Sequence, residues 1–137
     1  MEMEKKEDTR AKDQARAQLD SIMEMVKALD GGGEIDGEEI DEETARERIQ
    51  EDPLSVEVRS DWHEPGSKDD KPTAYKILLC TGGPAVRIIG TLDEYGQPET
   101  AQIEYQDWFT PWVRYANTSS EEDDALLTYA RQFYYRE

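Results

Sequence analysis

The chain has 137 residues, enough for one domain with an appended arm, and carries 33 Asp and Glu against 16 Lys and Arg, a formal net charge of −17. A surface this acidic argues against direct binding to nucleic acid or to anionic lipid, and leaves a basic protein surface, a cation or a positively charged groove as the charged partners it would suit. A single cysteine, Cys80, excludes an internal disulfide. No basic segment followed by an apolar stretch marks a signal peptide, and the longest apolar run, Ile77 to Cys80, is too short to span a bilayer; the expectation is a cytoplasmic protein.

The two ends of the chain differ chemically. All twelve Trp, Tyr and Phe residues lie from Trp62 onward, whereas residues 1–52 hold 18 Asp and Glu against 8 Lys and Arg. Residues 5–30 read as a helix, with Ala15, Leu19, Ile22, Val26 and Leu29 at helical spacing and Met23 beside them. Gly31-Gly32-Gly33 ends it, because glycine accepts the left-handed backbone that closes a helix. This narrow stripe either docks on the rest of the protein or pairs with a second copy, giving a homodimer through the N-terminal helix.

From Glu34 to Asp52 there are ten carboxylates against Arg46 and Arg48. Asp41 suits the N-cap of a short helix ending near Glu51, with Ile40, Ala45 and Ile49 as a thin apolar stripe. Asp52-Pro53 stops it. Beyond this point the period becomes two. Leu54–Arg59 alternates apolar and polar, Ala74–Cys80 is strongly apolar, and Ala85–Leu92 and Thr100–Trp108 follow, separated by Gly- and Pro-rich turns. Short connections make the last three an antiparallel meander. A closing helix is expected from about Ser120 to Tyr135, with Leu126, Tyr129, Ala130 and Phe133 inward. The predicted fold is α+β: a small antiparallel sheet of about four strands with the N- and C-terminal helices packed on it. The domain plan is a helical arm over 1–33, an acidic connector over 34–52 and a core over 53–137.

No constellation of catalytic residues stands out. His63 is the only histidine and lies in a loop beside Trp62. Cys80 ends an apolar strand, where a free cysteine reads as a small buried hydrophobe rather than a nucleophile. Zinc needs several His or Cys ligands, and one of each is present. A calcium loop starting at Asp30 fails, since it would need an oxygen ligand at Gly32 and glycine at Ile35. Thr81-Gly82-Gly83-Pro84 lacks the lysine of a phosphate loop and precedes a strand. Neither metal nor cofactor is expected. Two surfaces remain. One is the acid-rich Glu34, Asp36, Glu38, Glu39, Asp41, Glu42 and Glu43, with Glu121, Glu122, Asp123 and Asp124 as a second patch. The other is the aromatic group Trp108, Trp112 and Tyr115, which either closes the core or anchors a protein partner.

The segments LSVEVRSDWHEPG, YKILLCTGGPAVRIIG, EYQDWFTPW and LLTYARQFYY, all within the last 80 or so residues, resemble a family of small, uncharacterised acidic proteins carried by phages, plasmids and integrated elements. The resemblance implies a role in mobile-element biology, where such proteins are similar to anti-restriction or anti-CRISPR inhibitors, some of them DNA mimics. The leading expectation is a non-catalytic acidic protein that offers its carboxylates to the basic groove of a nucleic-acid-processing protein. A protein–protein interaction module using the aromatic surface, without mimicry, is the alternative.

Overall fold

The computed structural model describes residues 2–66, 71–107 and 110–135. A long helix α1, Glu2–Ala28, is followed by a small hairpin, β1 (Gly33–Ile35) and β2 (Glu38–Ile40), and a second helix α2, Glu42–Glu51. Five further strands come next: β3 (Ser55–Ser60), β4 (Pro72–Cys80), β5 (Ala85–Thr91), β6 (Gln102–Gln106) and β7 (Val113–Arg114). Helix α3, Ser120–Ala130, closes the chain. The strands β3-β4-β5-β6-β7 form one antiparallel sheet in sequence order, and β1-β2 form a separate pair.

The α+β class and the flanking helices match the sequence reading; the strand inventory is larger than expected. A fifth strand, β7, adds to the meander by pairing Arg114 with Glu104 and Val113 with Tyr105. The β1-β2 hairpin occupies the stretch expected to be a connector. Its turn, Asp36-Gly37, has both residues at positive φ, 51° and 78°. That is the two-residue turn whose twist matches a hairpin, and Asp-Gly is a favoured pair for it.

Period-two alternation sorts the sheet into two faces. Tyr75, Ile77 and Leu79 of β4, Val86 and Ile88 of β5, and Ile103 and Tyr105 of β6 are buried beneath the helices. The pairings Ile77–Ile88 and Ile88–Ile103 set these rows side by side. Helix α1 covers them with Ala11, Ala15, Leu19, Ile22, Met25 and Ala28, all at or below 3% exposure. The predicted stripe was right in its first half and rotated in its second: Val26 and Leu29 are only partly buried, and Met25 and Ala28 take the inward positions. The stripe that would have served a helix-mediated homodimer is thus covered by the chain's own sheet. Residues from α1, the hairpin, α2, the sheet and α3 share one apolar cluster.

Helix α3 ends at Ala130 rather than at Tyr135. After Arg131 the chain folds back, the Tyr135 hydroxyl donates to the Ala130 carbonyl at 2.6 Å, and its ring packs 5.1 Å from Tyr75. Gly90 answers a different demand. A Cβ there would lie 2.0 Å from the Thr100 carbonyl oxygen, so only glycine lets the two strands approach. Buried tyrosine hydroxyls are paired: Tyr75 donates to Thr100 O at 2.6 Å and Tyr129 to Asp52 at 2.7 Å. Burial pushes the ionisation of Tyr75, Tyr129 and Tyr135 upward, and for Tyr129 the neighbouring Asp52 carboxylate adds to it.

Ile22 is fully buried in the centre of the α1 stripe. Ile22→Ala is therefore expected to lower stability by about 2–5 kcal/mol, read by urea unfolding. Helix and sheet signals should melt together; loss of α1 helicity ahead of the sheet would show that α1 is not part of the cooperative core.

Candidate functional site

The acid-rich stretch is folded, not a tether. Ile35 and Ile40 anchor the hairpin with 3% and 7% exposure, and Ala45 and Ile49 anchor α2 with none. Glu34, Asp36, Glu38, Glu39, Asp41, Glu42 and Glu43 are all exposed; Glu34 and Glu39 lie on the hairpin face away from Ile35 and Ile40, whereas Glu38, opposite Ile35, shares theirs. The Asp41 carboxylate caps α2 by accepting from the Thr44 amide at 2.8 Å, and hydrogen bonding to Thr44 holds its pKa below the usual value. Glu42 and Glu43 follow in the first turn, where the helix dipole favours negative charge.

Little of this charge is neutralised. Arg46 reaches Glu42 at 3.3 Å and Arg48 reaches Glu38 at 3.4 Å, both on the exposed surface. Within the hairpin Glu34 sits directly opposite Glu39. Like charges at opposed positions destabilise a strand pair, and among the described residues neither has an ion-pair partner. At the turn, the Asp36 amide donates to Glu24 of α1 at 3.3 Å, bringing yet another carboxylate to this surface.

The second acidic patch divides into two kinds of residue. Glu122 is largely covered and has a structural role. It completes a capping box with Ser119 and pairs with Arg16 of α1, which also holds Asp20 at 2.7 Å. The Arg16 guanidinium, followed by the hydrogen bond from the Ser119 backbone, holds the Glu122 carboxyl below its ordinary range. Asp123 accepts from the Thr118 hydroxyl at 2.7 Å. Glu121, Asp123 and Asp124 are exposed and so remain available to a partner; Glu122 does not.

The aromatic surface does not assemble. Trp112 lies under the Arg87 guanidinium, 4.0 Å from its ring centroid, on the sheet face away from the helices. There Arg87 also pairs with Glu104 at 2.8 Å, a contact that is mostly buried. Tyr115 faces the other way. Its amide bonds Ile103 O at 2.9 Å, and its ring meets Tyr105 edge-on at 6.5 Å beneath α1. Trp108 lies outside the described residues. Trp112 and Tyr115 thus close opposite faces of the sheet and share no surface.

Cys80 and His63 do not meet either. His63 follows β3 at the Pro72 end of β4, whereas Cys80 is the last residue of β4. Nine residues of strand separate the two ends, roughly 26 Å at the usual rise. A register shift between Leu78 and Cys80 pairs Cys80 with Val86, turning it toward the core, and burial raises its thiol pKa. Among the described residues no group of three His, Cys, Asp or Glu is arranged to hold a metal ion, and no helix is long and apolar enough to cross a membrane. Sequence reasoning missed the β1-β2 hairpin that presents the acids. Its signal was present as Asp36-Gly37 between Ile35 and Glu38, but the strands are only three residues long.

No family model, curated protein or solved structure matches the chain.

Glu122 has a depressed folded-state pKa, so its contribution is full above the unfolded carboxylate value of about 4.3 and is lost as pH falls through the lower folded value. Arg16→Met is expected to cost about 1–2 kcal/mol at pH 7, in line with a hydrogen bond to a charged group. Urea midpoints of the two proteins should converge as the pH falls below the ordinary carboxylate range and Glu122 takes up its proton. A difference that persists undiminished there would assign the effect to packing of the arginine stem.

Proposed function

We propose that this protein is a non-catalytic binding protein that occupies a basic groove on another protein, presenting the carboxylates of the hairpin and α2 in place of nucleic acid phosphates. The observation that carries this reading is the hairpin. Glu34 and Glu39 oppose one another with no ion-pair partner among the described residues, on strands fixed by Ile35 and Ile40 and followed at once by Asp41, Glu42 and Glu43. A fold gains nothing from such repulsion. It becomes favourable when a cationic surface covers it, and the rigid scaffold means that little ordering entropy is lost on contact. Carboxylates spaced along strand and helix approach the charge density of duplex DNA, about one per 1.7 Å of axis. Long-range attraction would speed the encounter with the groove. The partner class that fits is a nucleic-acid-processing protein, such as a nuclease, a repressor or a CRISPR effector, and a phage or plasmid origin would be consistent with such a target.

The test is affinity capture from host lysate at low and high salt, comparing the wild-type chain with the variant Glu34→Gln, Glu38→Gln, Glu39→Gln, Glu43→Gln. The expected result is recovery of basic nucleic-acid-binding proteins at low salt, loss of that recovery at high salt, and at least tenfold weaker binding by the variant with its circular dichroism unchanged. A partner retained equally under all conditions would overturn the electrostatic reading. Removing like-charge repulsion should also leave the variant as stable as the wild type, or more so, in thermal melts.

A further inference from the structure

The face of the sheet away from the helices gathers cations that are scattered in the sequence. Lys76, Arg87 and Arg114 are the only Lys or Arg residues between Thr73 and Thr118. Strand alternation sends all three to this face, together with Arg59 of β3. The register also lines them up. Arg59 pairs with Ala74, two residues from Lys76 on β4, and Lys76 pairs with Ile89, two residues from Arg87 on β5. Each of these steps is a cross-strand diagonal of about 7–8 Å. Arg87 then pairs with Glu104, and Glu104 with Arg114, which carries the line across β6 to β7. A groove of about 680 Å³ runs over this part of the sheet, with all four cations and the half-buried Ala74 and Ile89 in its lining.

Carboxylates beside the groove already have donors. Glu104 is held by Arg87, Glu57 lies 3.5 Å from Lys76, and Glu99 accepts from the Thr91 hydroxyl at the rim at 3.2 Å. Arg59 and Arg114, at the two ends of the line, are exposed and have no ion pair among the described residues. We propose that this groove binds an extended acidic peptide segment of a partner protein. Span and period both select that ligand. Four strand spacings and four residues of rise separate the end arginines, roughly 23 Å, or about seven residues of extended chain. A compact anion cannot reach both. Alternate side chains of an extended peptide share a face roughly 6.7 Å apart, close to the diagonal step between the cations. Nucleic acid suits the groove less well. Bases need open rings to stack on, and Trp112 already has one face under Arg87. A long polyphosphate would also meet the net charge of −17. The acids of the hairpin and α2 do not cancel the local field, because those elements pack on α1, behind the sheet. The helix between is about 10 Å thick, and charge is screened within about 8 Å at physiological salt.

The test is fluorescence anisotropy at physiological salt with a labelled, end-blocked peptide that alternates glutamate and serine over about nine residues, long enough to span the groove. Three proteins are compared: wild type, the pair Arg59→Gln with Arg114→Gln, and the pair Arg10→Gln with Lys27→Gln. All four positions are exposed, and circular dichroism verifies folding. The second pair lies on α1 and removes the same charge away from the groove. Wild type should bind the peptide in the high-micromolar range. Loss of Arg59 and Arg114 should weaken binding about tenfold, as two exposed charge contacts would. Loss of Arg10 and Lys27 should leave it unchanged. A wild type that does not bind the peptide, or equal weakening in the two double variants, would overturn the proposal. So would tighter binding of a thymidylate oligomer of the same charge, which would assign the groove to single-stranded nucleic acid. None of these readings depends on what the acidic hairpin binds.

Discussion

The structure depends on one burial event: the closure of α1 over the sheet. A chain that is 36% charged and 36% hydrophobic has little apolar surface to bury, and α1 supplies a long, continuous part of it in six buried side chains. Once α1 lies across β5 and β6, the other elements find their places on it. The hairpin and α2 pack against it through Ile35, Ile40, Ala45 and Ile49, and α3 is tied to it by Arg16 and Glu122. Apolar burial is non-directional, so the polar contacts set the alignment. Arg16, gripping Asp20 of its own helix and Glu122 of α3, fixes the rotation of one helix relative to the other.

Much of the fold was legible in the sequence because its signals were periodic. Alternation located β3, the runs between Gly- and Pro-rich turns located β4 to β6, and helical spacing located α1 and α3. Departures arose where tertiary contacts overrode local pattern. Helical spacing alone allowed Val26 and Leu29 to follow Ile22, but the sheet beneath the C-terminal half of α1 selected Met25 and Ala28. Tyr135 looked helical, yet its ring found Tyr75 and its hydroxyl found the end of α3. The two strands of the hairpin are too short to establish a period, and β7 is shorter still. Composition marked the acid-rich segments but could not separate roles within them. Glu122 sits in a run of four similar residues and is distinguished only by Ser119 three positions earlier and by Arg16, which is remote in sequence. Likewise, nothing local says that Trp112 and Tyr115, three residues apart, end on opposite faces of the sheet.

The distribution of charge follows a division of labour between carboxylates. Some are structural: Asp41 caps α2, Glu122 caps α3 and binds Arg16, Asp52 receives the Tyr129 hydroxyl, and Glu104 holds Arg87 beside Trp112. Each has a defined donor. Those of the hairpin mostly do not, and their geometry is set by the aliphatic anchors Ile35 and Ile40. Shape and charge are therefore supplied by different residues, and a substitution at one outward glutamate can alter the field without moving the backbone.

The order of elements along the chain has a consequence for synthesis. Helix α1 leaves the ribosome long before β5 and β6, the strands it must cover, and before α3, to which it is pinned. The sheet is a meander of sequence neighbours and can form locally as it emerges. Its roof, made first, has to wait in solvent with its apolar stripe uncovered. Exposed charges on the other faces of α1, such as Lys12, Asp13, Asp20 and Glu24, and the acid-rich stretch that follows it, keep that waiting segment hydrated and repel neighbouring nascent chains. Acidity at the front of the chain thus protects the protein before it has any fold to protect.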